Sequence, residues 1–140
     1  MNIKELYQVF LNHPFIQTDT RKLKSGELFF ALKGEHFNGN LFAAKALELG
    51  AAAVIIDEDL GFEDDRIIQT ENVLETLQAL ARYHRLQFNI PVLAITGSNG
   101  KTTTKELIHA VLSSHFKTYT TEGNLNNHIG IPLTLLKIKI

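Results

Sequence analysis

Val92-Leu93-Ala94-Ile95-Thr96-Gly97-Ser98-Asn99-Gly100-Lys101-Thr102-Thr103 begins as an apolar run, breaks at a glycine-bounded turn and re-enters polar sequence on a lysine and two threonines. The run reads as a short buried strand, and the residues from Lys101 onward as a helix start, which is the wiring of a phosphate-binding loop. Glycines let the backbone curl so that successive N–H groups converge, and a helix N-terminus adds unpaired N–H groups and the positive end of its dipole. On this reading Gly97, Ser98, Asn99 and Gly100 supply backbone donors to a di- or triphosphate. Lys101 brings a full charge to the β- and γ-phosphates, and the Thr102 hydroxyl is a ligand for Mg²⁺. Thr103 either reaches a phosphate or caps the helix. The generic pattern places a glycine five residues before the Gly-Lys pair, where this chain has Ile95. The plainer alternative is an ordinary strand–helix turn with a solvated lysine. Lys-Thr-Thr set between a strand and a helix favours nucleotide binding.

Downstream, Leu107, Ile108, Val111 and Leu112 recur at helical spacing, which predicts a helix over Lys101–Ser114 with these residues inward. Phe116–Thr121 reads as the next strand, Glu122–His128 as a polar loop, and Ile129–Leu136 as the start of a further helix. Strand, loop, helix and strand make about half of a nucleotide-binding parallel sheet. The chain therefore reads as part of a longer protein. Half a sheet has an unpaired edge and an uncovered apolar face, so dimerisation, swapping or partial disorder of that half is expected.

Upstream, Asn89-Ile90-Pro91 marks a domain boundary, giving units at 1–89 and 90–140. Ile3, Leu6, Tyr7, Phe10 and Leu11 form a helical stripe that ends at His13-Pro14. Ile16–Arg21 is a short extended piece. Leu28–Leu32, Ala53–Ile56 and Arg66–Thr70 read as strands, and Lys33–Asn40 as a polar loop. Leu41–Leu49 is a helix closed by Gly50. Asn72 caps a longer helix with Glu75 at the reciprocal position and Val73, Leu77, Leu80 and Ala81 on one face. Asp57–Asp65 reads as a solvated acidic turn in preference to a carboxylate metal site. His13, His36, His84, His109 and His115 lack metal-ligand spacing and read as surface or boundary residues.

The 140 residues suffice for one good core or a small domain with part of another, and 44% hydrophobic with 21% charged residues is ordinary for a globular protein. A formal net charge of −1 leaves no basic face for nucleic acid, and the absence of cysteine excludes disulfides and thiolate metal sites. No apolar run approaches the roughly 20 residues of a membrane span, and the N-terminus lacks signal-peptide order. A cytoplasmic location is expected.

Thr96-Gly97-Ser98-Asn99-Gly100-Lys101-Thr102 resembles the ATP loop of the Mur ligases of peptidoglycan synthesis, which also lacks the early glycine. Thr18–Arg21, Gly26–Gly34 and Phe37–Asn40 are similar to the N-terminal UDP-binding module of two members of that family. Thr121–Leu136, with its Gly-Asn-Leu-Asn-Asn core, resembles the member that acts last. Asn38 and Asn40 stand where the family usually carries Asp and His, removing a carboxylate and an imidazole. The resemblance implies an α/β fold: a small mixed α/β UDP-substrate domain, then the first strand, phosphate loop, helix and strand of a parallel-sheet ATPase domain. It also implies a longer protein, whose remainder holds the acidic Mg²⁺ ligands, a modified lysine and the acceptor-amine site.

The implied reaction joins the peptide carboxylate of a UDP-N-acetylmuramoyl-tripeptide to the amine of D-alanyl-D-alanine through an acyl phosphate, with ATP and Mg²⁺. Lys101 and Thr102 are the implied catalytic residues, and this portion by itself is expected to be inactive. Asp19, Thr20 and Arg21 are implied to meet the uridine or diphosphate, Arg21 as a phosphate fork; on spacing alone a surface salt bridge explains it better. Lys33 and Gly34 flank a strand end, which suits a loop closing over the nucleotide, and Asn38 and Gly39 are counted with them as substrate-binding residues. Asn124, Asn126 and Asn127 are implied substrate contacts, though asparagines at such a place also simply make turns. His128 stays open between metal, base and structural roles. Competing readings are the preceding amino-acid ligase of the pathway, a stand-alone nucleotide or UDP-sugar binding module, and a compact α/β domain with a fortuitous loop.

Overall fold

The computed structural model describes residues 2–122, 125 and 127–139. Helix α1 (Ile3–Asn12) opens the chain, and its start is a complete capping box: the Asn2 side chain accepts from the Glu5 N–H while Glu5 accepts from the Asn2 N–H. Strands β1 (Ile16–Gln17) and β2 (Leu28–Phe30) follow, then a small hairpin of β3 (Lys33–Gly34) and β4 (Phe37–Asn38). A 3₁₀ turn at Gly39–Phe42 leads into α2 (Ala43–Glu48), β5 (Ala53–Ile56), β6 (Ile67–Gln69) and α3 (Val73–Arg85). Asn72 caps α3 by accepting from the Glu75 N–H. Beyond it lie α4 (Lys101–Leu112) and α5 (Gly130–Leu135).

Among the described residues the main sheet has four strands in the order β1-β2-β5-β6, every pair parallel. Parallel strands are buried on both faces, and the composition here obeys that rule. Leu28, Phe30, Ala53, Ile55 and Ile68 face one side, where Leu6, Tyr7 and Phe10 of α1 and Val73, Leu77, Leu80 and Ala81 of α3 meet them. Phe29, Ala31, Val54 and Ile56 face the other side, against Ala43, Ala46 and Leu47 of α2. Period-two alternation in the strands and a helical stripe on each helix thus build helix, sheet and helix layers. Burying Phe29 and Phe30, each at most 1% exposed, contributes about 1.5–3 kcal/mol apiece.

The hairpin departs from the polar loop expected over Lys33–Asn40. Lys33 pairs with Asn38 and Gly34 with Phe37, antiparallel. Gly39 explains how the chain returns so tightly to β2. Its N–H donates to the Leu32 carbonyl at 2.8 Å, and a Cβ there would lie 2.5 Å from that oxygen and 2.6 Å from the Ala31 carbonyl carbon. Those neighbours are backbone and cannot yield. Gly39→Ala is expected to lower stability by about 1–3 kcal/mol, as overpacked sites do, read as a lower urea midpoint at unchanged slope.

The strands expected at Val92–Ile95 and Phe116–Thr121 are not in ladders among the described residues. A strand is held by pairing with at least one neighbour, and no described segment pairs with either stretch. The helix between them forms as expected over Lys101–Leu112, two residues short of Ser114, but its apolar residues are not inward. Leu107 is 64% and Val111 71% exposed, Ile108 and Leu112 are half-buried, and no residue of α4 is buried. Local propensity made the helix; no described layer covers it.

The C-terminal segment behaves differently. α5 lies beyond the boundary read at residues 89–91, yet it packs on α3, and Leu136 enters the core shared by α1, α3 and the sheet, with Ile129, Leu133 and Leu135 against it. His84 joins this junction. It is 4% exposed, not at the surface: its Nε2 lies 2.9 Å from the Ile138 carbonyl and its Nδ1 3.1 Å from the Tyr7 hydroxyl. A carbonyl only accepts, so Nε2 carries the proton and Nδ1 accepts from the Tyr7 O–H. Burial, then the neighbouring Tyr83, raises the Tyr7 phenol above its ordinary range and keeps it a donor.

Candidate functional site

Because all four strands of the main sheet run parallel, their carboxyl ends share one edge. β1 leads into Thr18–Arg21, β2 into Ala31–Leu32 and the hairpin, β5 into Asp57 and Glu58, and β6 into Thr70. Such an edge is where open α/β sheets bind ligands. Asp19, Thr20, Arg21, Lys33, Gly34, Asn38 and Gly39, scattered in sequence, come to this edge.

Arg21 forms a fork on its own loop: Nε donates to Asp19 Oδ1 at 2.9 Å, Nη2 to Oδ2 at 2.7 Å, and its backbone N–H to Oδ1 at 3.0 Å. The salt bridge that spacing favoured is therefore present. The pair sits in solvent, with the Arg21 side chain 87% exposed, so its worth lies in orienting the guanidinium more than in stability. The Arg21 side-chain hydrogen bonds, followed by its backbone N–H, lower the Asp19 carboxyl to about 2. Thr20 lies half-buried between them.

Lys33 extends from β3 to two carboxylates, 2.9 Å from Asp57 Oδ1 and 2.9 Å from Glu58 Oε1. Asn38 Nδ2 donates to Glu58 at 2.9 Å, and Asn38 Oδ1 accepts from both the backbone N–H and Nδ2 of Asn40 at 3.0 Å. Asn40, 2% exposed, donates through Nδ2 to Asp57 Oδ1 at 2.9 Å and accepts the Asp57 N–H at 3.1 Å. The other Asp57 oxygen accepts from the Val73 N–H at the start of α3, 3.2 Å away. Burial pushes the Asp57 carboxyl up, but Lys33, Asn40 and the Val73 N–H together hold it below its ordinary value. Asn38, then Lys33, lowers Glu58; Glu58, then Asp57, raises Lys33. Asp57 is thus a partnered hub and not part of a solvated turn. Its signal was its place directly after an apolar strand. Gly34 is exposed and Gly39 packs on the end of β2.

The phosphate-loop residues gather separately. Gly97 has φ +149° and Gly100, the cap of α4, φ +76°, left-handed conformations that a side chain would strain. Glycine at the cap brings no side-chain acceptor to the first turn of α4, whose N–H groups and dipole face the loop. Lys101 folds back so that its Nζ donates to the Gly97 carbonyl at 2.5 Å. Ser98 and Asn99 are exposed in the turn, and Thr102 and Thr103 are exposed on the first turn of the helix. Glycine at the cap leaves the capping of α4 by Thr103 without the position that capping requires.

Of the asparagine loop, Asn124 and Asn126 lie outside the described residues. Asn127 acts as a turn-former, its Oδ1 accepting from the N–H groups of Ile129 at 3.1 Å and Gly130 at 2.7 Å. Gln78 of α3 donates to the His128 carbonyl at 3.0 Å, and Gly130 has no room for a Cβ beside Leu125. Among the described residues no group of three His, Cys, Asp or Glu is placed to hold a metal ion, and no helix is long and apolar enough to cross a membrane.

Residues 13–86 match the family described as "Mur ligase family, catalytic domain", and residues 95–139 that described as "Mur ligase middle domain". The UDP-N-acetylmuramoyl-tripeptide–D-alanyl-D-alanine ligase of Bacillus subtilis (strain 168) is 46% identical over 123 residues, covering 86% of this chain and 27% of that protein. The MurF ligase from Thermotoga maritima, solved in complex with ADP, superposes with a TM-score of 0.84 at 35% identity over 93% of this chain and 30% of that chain. A MurF structure from Acinetobacter baumannii gives 0.86 at 33% identity, covering 99% of this chain and 33% of that chain. The present chain therefore spans about a third or less of the length of these relatives. A glycine-capped loop opening α4, a parallel sheet with its polar residues on the carboxyl edge and matches along both halves lead to one conclusion: the chain belongs to the Mur ligase family.

Proposed function

We propose that this chain is the nucleotide-sugar-binding domain (1–89) and the opening of the ATP-binding domain (90–140) of a cytoplasmic ligase that joins D-alanyl-D-alanine to a UDP-N-acetylmuramoyl-tripeptide. The observation that carries the reading is geometric: the Gly97–Thr103 loop opens α4 on a glycine cap, and the Arg21 fork stands on the carboxyl edge of the parallel sheet, two places suited to an anion. The names of the relatives supply the substrates. The tripeptide carboxylate attacks the γ-phosphorus of ATP, releasing ADP and leaving an acyl phosphate. The amine of D-alanyl-D-alanine then attacks the acyl carbon, expels phosphate and gives up a proton.

Phosphoryl transfer needs positioning and charge neutralisation more than covalent help from the protein. In this chain Lys101 leaves the Gly97 carbonyl for the β- and γ-phosphates, and the N–H groups from Gly97 to Thr103 cradle them. Mg²⁺, when bound, offsets phosphate charge. The hard hydroxyl oxygen of Thr102, exposed at the helix start, suits that ion. Arg21 turns its solvent-facing guanidinium to the diphosphate of the sugar nucleotide. Asp19 and Thr20 shape that loop, and Lys33, Gly34, Asn38 and Gly39 wall it. Asn124, Asn126 and Asn127 contact the peptide arm. The exposed Leu93, Leu107, Val111 and Phe116 are covered by the rest of the ATP-binding domain in the whole protein, and by self-association when the chain stands alone.

Calorimetric titration of the full-length protein with UDP-N-acetylmuramoyl-tripeptide and, separately, with Mg-ATP tests this. Arg21→Ala is expected to weaken the sugar nucleotide roughly 10- to 100-fold, the worth of a lost charge-assisted contact, and to leave Mg-ATP unchanged. An unaltered affinity for the sugar nucleotide would refute the assignment of Arg21.

A further inference from the structure

The charge around Lys33 is more than cancelled, with two carboxylates meeting one ammonium. A diphosphate approaching this group meets a net negative cluster, unlike at Arg21, whose single partner Asp19 leaves the guanidinium 87% exposed. The same cluster is the only described tie of its kind between the hairpin, the end of β5 and the start of α3, because Asp57 bonds to Lys33, Asn40 and the Val73 N–H at once. Glu58 extends it to Asn38, the cross-strand partner of Lys33.

We propose that Asp57 is a positioning residue for the nucleotide-sugar site, and that Lys33 serves as its staple rather than as a counter-charge to the diphosphate. Asp57 sets the hairpin at the height where β3 and β4 wall the ligand edge, and it couples that wall to α3. The identity of residue 38 belongs to the same device. An asparagine amide donates to Glu58, whereas an aspartate in its place sets two carboxylates about as close as the present 2.9 Å hydrogen bond. The inference rests on the reading of this edge as a nucleotide-sugar site.

The two roles for Lys33 give opposite signs. Were Lys33 the direct partner of the diphosphate, removing charge at Asp57 would free the ammonium and tighten binding. As a staple, its loss and that of Asp57 weaken binding through one event. Calorimetry on the full-length protein with UDP-N-acetylmuramoyl-tripeptide is therefore run on Asp57→Asn, Lys33→Met, the double variant and Asn38→Asp, with Mg-ADP titrated in parallel and thermal midpoints recorded. Asp57→Asn keeps the volume and one acceptor oxygen, which serves either Asn40 or the Val73 N–H but not both, and the thermal midpoint separates loss of the staple from loss of the fold. Each single variant is expected to weaken the sugar nucleotide at least fivefold, the double no more than its worse single. The affinity for Mg-ADP stays within twofold. Tighter binding by Asp57→Asn, additive losses in the double variant, an affinity within twofold of the parent for Asp57→Asn or Asn38→Asp, or an equal loss for Mg-ADP would each overturn the proposal. A parent protein that binds Mg-ADP but not the sugar nucleotide would instead refute the underlying substrate reading, and this inference with it.

Discussion

Lys101→Ala is expected to reduce the ligation rate of the full-length protein by about a thousandfold, the upper range for losing one preorganised charge-stabilising donor, and to weaken Mg-ADP binding roughly 100-fold. The Lys101 ammonium donates to the Gly97 carbonyl, and the helix that carries it buries none of its described residues in the core. Removing it leaves α4 with its glycine cap and first-turn N–H groups, so the loop persists as a weak anion site without its mobile charge. The thermal midpoint should stay within a degree or two of the parent. Single-turnover assays with calorimetry on the same preparation check this. Turnover within tenfold of the parent would remove Lys101 from the phosphate site, while a collapse of the thermal midpoint would reassign it to the fold.

The second large effect falls on stability. His84→Ala is expected to cost about 3–5 kcal/mol, since it opens a cavity among aromatic rings and strands two buried polar groups. The ring packs edge-on to Phe10 at 5.1 Å and Phe88 at 4.8 Å between centroids, and it satisfies the Tyr7 hydroxyl and the Ile138 carbonyl together. Tyr7→Phe removes only one hydrogen bond and should cost about 1 kcal/mol. Urea unfolding measures both, and hydrogen exchange locates the loss: protection over residues 129–139 should fall first in His84→Ala. A variant within 1 kcal/mol of the parent would show that the C-terminal segment is held by Leu136 and its neighbours alone.

His84 also shows how much a one-dimensional reading can miss. It falls on the same stripe as Leu77, Leu80 and Ala81, at the next helical position, so the periodicity that placed those residues inward placed it inward too. A polar identity argued for the surface, and only the partners supplied by α1 and the C-terminal segment, some fifty or more positions away in sequence, make its burial tolerable. Asp57 belongs to the same class. Acidic company suggested a solvated turn, but the ends of four elements converge on it.

Local physics sufficed wherever one segment carries its own answer. The phosphate loop is legible because glycines, an apolar run and a lysine at a helix start act within a dozen residues. A short, continuous apolar run made Ala53–Ile56 a strand to the residue, and Asn72 capped α3 where its side chain can reach an N–H three residues on. The apolar run at Val92–Ile95 shows the limit, since a strand exists only through its neighbours, and none is at hand among the described residues. Which strands pair, which charges cancel and which histidine is buried depend on groups that meet only after the chain has folded. The sequence by itself determined the helices, the strands β2, β5 and β6, the glycine-bounded turn before α4 and the family resemblance. The parallel order of the sheet, the gathering of Arg21, Lys33 and Asp57 on one edge and the docking of α5 on α3 were decided by tertiary structure alone, because long-range pairing and burial are properties of the assembled layers and not of any single segment.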